Sequence, residues 1–377
     1  MARGMRRVII LGVCLAVVAV TACQKNEAPP PAEAKKTEPV KAEPPPGPDA
    51  KALLERAKSI FGTPQPSNSS DDPAVEAARV ELGRTLYYDK RLSKNQDLSC
   101  NSCHDLANYG VDSREKDGKR TPTSEGHKGQ FGGRNSPTSY NAFFHIAQFW
   151  DGRAKDVEEQ AQGPITNPVE MAVKDPAAAE KVLKSIPDYG PKFKAAFPEE
   201  KGAITLVNAA RAIGAFERKL VTPAPIDEFL AGKTDALTTQ QLKGLELFTE
   251  RCVACHMGPG FGGAIYQKLG LIKPYETKDM GRFEATKNEA DKGFFKVPSL
   301  RNIAKTGPYF HDGSIGTLKE AVAIMAEHQT AQGALSDEQM ADVLAFLDSL
   351  TGKIPSEYIA EPTLPASGPK TPKPDPS

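Results

Sequence analysis

Helical periodicity is the dominant pattern along the chain. Asp72 followed by Pro73 pairs an N-cap with a residue suited to the first helical position. It opens the run "AVEAARVELGRTLYYD", in which Val75, Ala78, Leu82 and Leu86 fall on one stripe. A second helix is predicted over Ile204 to Leu220, where Ile204, Val207, Ile213, Phe216 and Leu220 recur at helical spacing. Thr238 with Gln241 forms a capping box ahead of "LKGLELF". Ser336 with Gln339 forms another, ahead of Met340, Val343, Leu344, Leu347 and Leu350, and Gly352 and Pro355 stop that helix. No alternating run is long enough to require a sheet.

Two of these helices lead into the same short text. "LGRTLYYD" and "KGLELFTE" align Gly83 with Gly244, Leu86 with Leu247 and Tyr87 with Phe248. Each precedes a Cys-x-x-Cys-His, "CNSCH" at 100–104 and "CVACH" at 252–256. The simplest reading is a duplicated, mainly α-helical unit with one motif per copy, occupying 51–222 and 223–354. The segments on either side differ in composition. Residues 24–50 are rich in Pro, Ala, Lys and Glu, and 355–377 end in "EPTLPASGPKTPKPDPS", so both are predicted to be extended and to bury little. Ordered structure is expected from about Ala50 to Ile354.

Composition narrows the class. The chain has 377 residues, with 48 Lys+Arg against 48 Asp+Glu and a formal net charge of zero. That balance argues against a nucleic-acid footprint or a polybasic membrane patch. The N-terminus stands apart: "MARGMRR" is basic, and Val8 to Val20 is apolar but short for a membrane span. The run ends in "VTAC", which resembles a bacterial lipoprotein signal over 1–23, with Cys23 as the lipidated residue. An ordinary secretory signal and an uncleaved anchor are the alternatives, and all three put the body outside the cytoplasm. Gln24 after Cys23 resembles the sorting of outer-membrane lipoproteins. Cys14 leaves with the signal and Cys23 takes lipid, so Cys100, Cys103, Cys252 and Cys255 remain, all inside the two motifs.

Cysteines at i and i+3 with histidine at i+4 share one face of a helical turn. Two such thiols can form thioethers with the vinyl groups of a porphyrin, and the adjacent imidazole can ligate its iron. A pooled zinc site leaves the two histidines unexplained. A thioredoxin-like dithiol needs a βαβ context that the pattern lacks, and a duplicated Cys-x-x-Cys disulfide is a poor staple. The motifs therefore point to two covalently bound haem c groups, with His104 and His256 as proximal ligands. The fold class that follows is mainly α: two cytochrome c-like helical domains with one haem each.

Longer stretches then become specific. "QFWDGRAKDVEEQAQGPITNPVEMA" (148–172), "FKVPSLRNIAKTGPYFHDGS" (295–314) and "AVAIMAEHQ" (321–329) resemble the bacterial dihaem cytochrome c peroxidase family, which also contains MauG-type enzymes that oxidise a partner protein. The likeness runs from about Glu81 to Lys353. It implies reduction of hydrogen peroxide to water with electrons from a small periplasmic cytochrome c or copper protein. It implies that His127, in the Gly-rich "EGHKGQFGG", is a removable distal ligand on the N-terminal haem, with His145 as the fallback. Met325 matches the distal ligand of the C-terminal haem. Met257 lies too close to His256 to reach the opposite face, and Met280 is the weaker choice. Gln160 and Glu170 match the polar pair over the peroxide site, and Trp150 the residue between the haems. Phe149 packs at the distal face and His311 lies near the electron-accepting haem edge. Asn135, Thr306 and Pro308 match a calcium site, and the resemblance also implies a homodimer. MauG-type members have tyrosine where this chain has Met325. A dihaem carrier without chemistry is the rival from another class.

Overall fold

In the computed structural model, which describes residues 47–377, helices begin where side-chain caps are available. The signal, Cys14, Cys23 and most of the 24–50 segment lie outside the described residues. Asp49 caps α1 (Ala50–Ile60), and the Asp72 carboxylate accepts from the amides of Ala74 and Val75 at the start of α2 (Pro73–Tyr88). Three short helices follow: α3 (Cys100–Cys103), α4 (Val157–Gln160) and α5 (Gly163–Thr166). Then come α6 (Pro176–Lys184), α7 (Tyr189–Ala196), α8 (Leu206–Glu217) and α9 (Pro225–Leu230). The chain closes with α10 (Thr239–Arg251), α11 (Phe283–Thr286), α12 (Leu318–Gln329) and α13 (Asp337–Asp348). Both predicted capping boxes form, Thr238 with Gln241 on α10 and Ser336 with Gln339 on α13.

Strand is confined, among the described residues, to two antiparallel ribbons. β1 (Glu115–Lys116) pairs with β2 (Lys119–Arg120), and β3 (Tyr266–Lys268) pairs with β4 (Phe294–Lys296), Tyr266 facing Lys296. No helix among the described residues is long and apolar enough to cross a membrane.

Two apolar cores organise the helices. The first gathers Leu82, Leu86 and Tyr87 of α2 with Leu183, Phe193, Ile213 and Phe216. The second gathers Phe229, Leu245 and Phe248 with Val343, Phe346 and Leu347 of α13. The aligned glycines sit at the closest helix crossings. A Cβ on Gly83 would lie 1.9 Å from the Ala212 carbonyl oxygen, and one on Gly244 2.0 Å from that of Asp342. Only glycine lets α2 meet α8, and α10 meet α13, this closely.

Three features depart from the sequence reading. Val207, placed on the inward stripe, is 53% exposed. The Thr205 cap starts α8 at Leu206, and Leu206, Ala209, Ala210, Ile213 and Phe216 form the buried face instead. Helix α1, expected with the N-terminal half, puts Leu53, Leu54, Ala57 and Phe61 into the second core. The tail does not stay clear of the body after Ile354. Ile359 is buried in the first core, and Tyr358 stacks on Phe216 with ring centroids 5.1 Å apart. Each core thus takes in a segment from the far end of the chain.

Candidate active site

Each Cys-x-x-Cys-His forms one tight turn. The His104 amide donates to the Cys100 carbonyl at 2.9 Å, and the His256 amide to that of Cys252 at 3.0 Å. All four cysteines are free thiols, and burial pushes Cys100 and Cys252 up to about 12, so neither ionises readily. The imidazoles are set alike. His104 Nδ1 lies 3.0 Å from the Pro137 carbonyl oxygen and His256 Nδ1 lies 3.1 Å from that of Phe261. A carbonyl only accepts, so Nδ1 carries the proton in both rings and Nε2 keeps its lone pair for a metal. Burial lowers both pKa values, His256 to about 4, which keeps the ring neutral as a ligand must be. Among the described residues, no cluster of three or more His, Cys, Asp or Glu side chains could hold a metal ion, so the two cysteine pairs do not pool.

The first motif opens onto a cavity of about 730 Å³. Its walls bring together Cys100, Cys103, His104, Phe149, Trp150, Gln160 and Glu170, residues spread over some seventy positions of sequence. Thiols, a free Nε2 and a volume in the range of large-ligand pockets fit a covalently held porphyrin. Glu170 is one of the carboxyl groups in the cavity wall. Burial raises its pKa, opposed by the positive charge of Arg153 and a hydrogen bond with Asn167. Arg153 lies flat over Phe149, 3.5 Å from the ring centroid, and also binds Asp151.

His127 follows a cavity-lining glycine but does not itself line the cavity. Its amide donates to the carbonyls of Val169 and Glu170, and its Nε2 donates to the main-chain oxygen of Ser377 at 3.2 Å. The neighbouring Gly126 lines the cavity, and a Cβ there would lie 2.0 Å from the Val169 oxygen. His145 is interior: Lys296 Nζ donates to its Nδ1 at 2.9 Å, and its Nε2 is buried without a partner. Met325 is half-buried on α12, one turn after Val322, which packs on the second core. Met257 and Met280 are each 36% exposed.

The halves meet around Trp150. Its indole N–H donates to the Asn135 carbonyl at 2.9 Å, and its own carbonyl accepts from the Lys296 amide at 2.8 Å. Its ring meets His311 edge-on at 6.4 Å, and His311 lies 4.5 Å from Phe295. Asn135 donates its side-chain amide to Pro122, while Arg120 binds the carbonyls of Lys305 and Gly307 on either side of Thr306.

Sequence reasoning missed two groups in this cavity. Arg134 holds Asp151 at 2.6 Å, Asp279 at 2.7 Å and Glu284 at 3.1 Å, and all four line the wall. Only the Gly-Gly-Arg context hinted at it. Glu217, in "FERKL" on α8, is buried against the cavity, and its pKa rises to about 8 through burial and the nearby Glu158 carboxylate. A charged residue on the apolar stripe of α8 was the available signal.

Fold and site together define a two-domain c-type haem protein in which one cavity carries acid–base groups. The comparisons agree. The family model for di-haem cytochrome c peroxidase matches residues 77–235, and that for cytochrome c matches 241–351. The chain is 45% identical over 336 residues to the cytochrome c551 peroxidase of Pseudomonas aeruginosa, covering 86% of this chain and 93% of that one. It is 46% identical over 304 residues to the cytochrome c551 peroxidase of Nitrosomonas europaea, covering 80% and 87%. Among solved structures, a MauG-like protein associated with microbial copper homeostasis superimposes with a TM-score of 0.65 at 30% identity, covering 79% and 93%. The chain belongs to the di-haem cytochrome c peroxidase family, and its activity is that of a cytochrome c peroxidase.

Proposed function

We propose that the chain reduces hydrogen peroxide in the cavity of its 51–222 half, consuming two protons and two electrons per peroxide and releasing two waters. The electrons come singly from a small periplasmic cytochrome c or copper protein and enter through the 223–354 half. The observation that carries this reading is the placing of Glu170 and Gln160 in one cavity with Cys100, Cys103 and His104. Bound haem c supplies, at each motif, an iron that accepts and gives one electron, and in the first cavity a coordination position for substrate. The remaining roles belong to the protein. Glu170 takes the proton from the inner peroxide oxygen and delivers it to the outer one, so that water departs. Gln160 orients the peroxide through its amide. His127 is the removable distal ligand, and Gly126 and Gly129 beside it allow the backbone to rearrange.

Met325 and His256 would hold the second haem, and a thioether–imidazole pair would give it the raised potential that suits an electron store. Trp150, packed between the halves, is the route from store to cavity. Calcium belongs at Asn135 with the Thr306 and Pro308 carbonyls, a hard-oxygen set suited to that ion. A lipid on Cys23 tethers the body in the periplasm at the outer membrane, and the working form is a dimer. Methionine at position 325, where MauG-type enzymes carry tyrosine, favours peroxide reduction over oxidation of a partner protein.

The test is graded reduction of the holoprotein, followed by spin-state spectra and peroxide consumption with a reduced small cytochrome. A high-spin haem and turnover should appear together. If both haems stay low-spin and peroxide is untouched at every stage, the chain is an electron carrier.

A further inference from the structure

The Pro-rich tail is built onto the first half by a continuous series of polar contacts. Tyr88 donates to the Ile359 carbonyl at 2.5 Å and Arg91 to that of Pro365 at 2.8 Å. Gly368 lies so close to Ser185 that a Cβ would come within 2.3 Å of its carbonyl oxygen. Thr371 meets the Ser185 hydroxyl at 3.0 Å, and Gln96 donates to Pro372 at 2.7 Å. At the end, the Asp375 amide donates to the Lys94 carbonyl at 3.0 Å. Lys94 Nζ then reaches the Asp375 carboxylate at 3.6 Å and the Ser377 main-chain oxygen at 2.5 Å. That same oxygen accepts from His127 Nε2. Six prolines between 361 and 377 stiffen the segment, so its course costs little further chain entropy.

Two contacts connect this segment with the cavity. The Lys94 amide donates to the Met171 carbonyl at 2.8 Å, next to Glu170, so the strap is anchored on the strand of chain that carries the acid–base group. The bond from His127 to Ser377 requires a proton on Nε2, whereas ligation through that atom requires its lone pair. One nitrogen cannot do both.

We propose that residues 361–377 are a strap that holds His127 outside the haem cavity, so that the peroxide site of this chain rests open before any reduction. The inference rests on the reading of His127 as the removable ligand. The occupied Nε2 makes return of the ring to the cavity contingent on releasing the strap. Loss of the strap's final contacts returns the site to a closed resting state that opens only on reduction.

The experiment uses the fully oxidised, two-haem holoprotein in four forms: full chain, a chain ending at Lys370, Lys94→Ala, and the shortened chain with His127→Ala. Ending at Lys370 leaves Tyr358, Ile359 and Pro365 in place, and K94A tests the same contacts without shortening the chain. Electron paramagnetic resonance reads the high-spin ferric fraction, and peroxide consumption is measured without prior reduction. The full chain should show one high-spin haem and immediate turnover. The shortened chain and K94A should lose at least about tenfold in both, as expected for losing two or more hydrogen bonds, one of them charged. H127A should restore the high-spin signal to the shortened chain. A shortened chain and K94A that stay as high-spin as the full chain overturn the strap. A shortened chain that becomes low-spin even with H127A refutes His127 as the ligand, which is a separate failure.

Discussion

Replacing Gly244 by alanine tests the duplicated architecture because two well-measured effects oppose each other there. In a helix interior, Gly→Ala ordinarily stabilises by about 1 kcal/mol. At Gly244, the new Cβ would stand 2.0 Å from the Asp342 carbonyl oxygen, 2.6 Å from its carbon and 2.7 Å from Phe346 Cβ. A real Cβ essentially never approaches a heavy atom within 3.0 Å, so α10 and α13 must part by about 1 Å. Neither contact is the tip of a flexible side chain, and the move loosens Leu245, Phe248 and Phe346 together. Overpacking of this kind costs about 1–3 kcal/mol and more when backbone has to move, so a net loss of about 2 kcal/mol is expected. Gly83→Ala meets the same obstacle at Ala212 in the first core. Gly190→Ala on α7, where nothing lies within 4 Å of the added Cβ, should gain a few tenths to about 1 kcal/mol. Urea unfolding of the holoproteins, followed by haem absorbance, reads all three. Because α10 runs directly into Cys252, G244A should also broaden the second haem's absorbance band. If G83A and G244A match wild type while G190A behaves as stated, the close crossings are not what holds the helices together.

Two further predictions concern protons. Burial raises the Glu170 pKa above 4.5, and the proposed step needs its carboxylate form. Peroxide turnover should therefore fall as pH drops through a value above 4.5; E170Q should lose that acid limb and about 10²–10⁴ in rate, and an unchanged limb in E170Q refutes the assignment. Glu217 is raised from 4.5 to about 8, so the native state keeps a proton that the unfolded chain releases, and stability declines as pH rises between those values. At about 1.4 kcal/mol per pH unit the decline reaches up to ~5 kcal/mol, and E217Q should remove it in urea unfolding at pH 5 and pH 8; parallel curves for both proteins contradict the buried, neutral acid.

Legibility in the sequence followed the range of the interactions. Caps at Asp72, Thr238 and Ser336 could be read because they involve residues within four positions of one another. The alignment of Gly83 with Gly244 was visible, but its reason, a missing Cβ at a helix crossing, lies 98–129 residues away in Ala212 and Asp342. The Cys-x-x-Cys-His turns were plain. The carbonyls that fix their imidazoles, Pro137 and Phe261, were not, since any residue can offer a main-chain oxygen. Arg134 escaped notice because its partners Asp151, Asp279 and Glu284 come from three distant segments. The tail misled for a different reason: its proline content indicated an extended segment with little to bury, yet Tyr358 and Ile359 pack into the first core. Beyond them it is held by polar bonds to Arg91, Gln96 and Lys94, which composition does not encode.

The exchange of end segments bears on the reaction itself. Peroxide takes two electrons and the donor gives one, so the proposed cycle succeeds only if the second half can deliver its stored electron across a junction of constant geometry. Two halves joined by one linker, with an interface of ordinary size, would hinge. Here α1 lies inside the second core and Ile359, after α13, inside the first, so the polypeptide crosses the junction more than once. Trp150 is gripped from both sides, its indole by Asn135 of the first half and its carbonyl by Lys296 of the second. The aromatic series from Trp150 through His311 to Phe295 is thereby fixed at both ends. In the proposed cycle the movement falls to the short loop around His127, whose bonds run to main-chain oxygens. A rigid junction beside the loop of the proposed ligand His127 suits an enzyme that must change access at one iron without disturbing the path to the other.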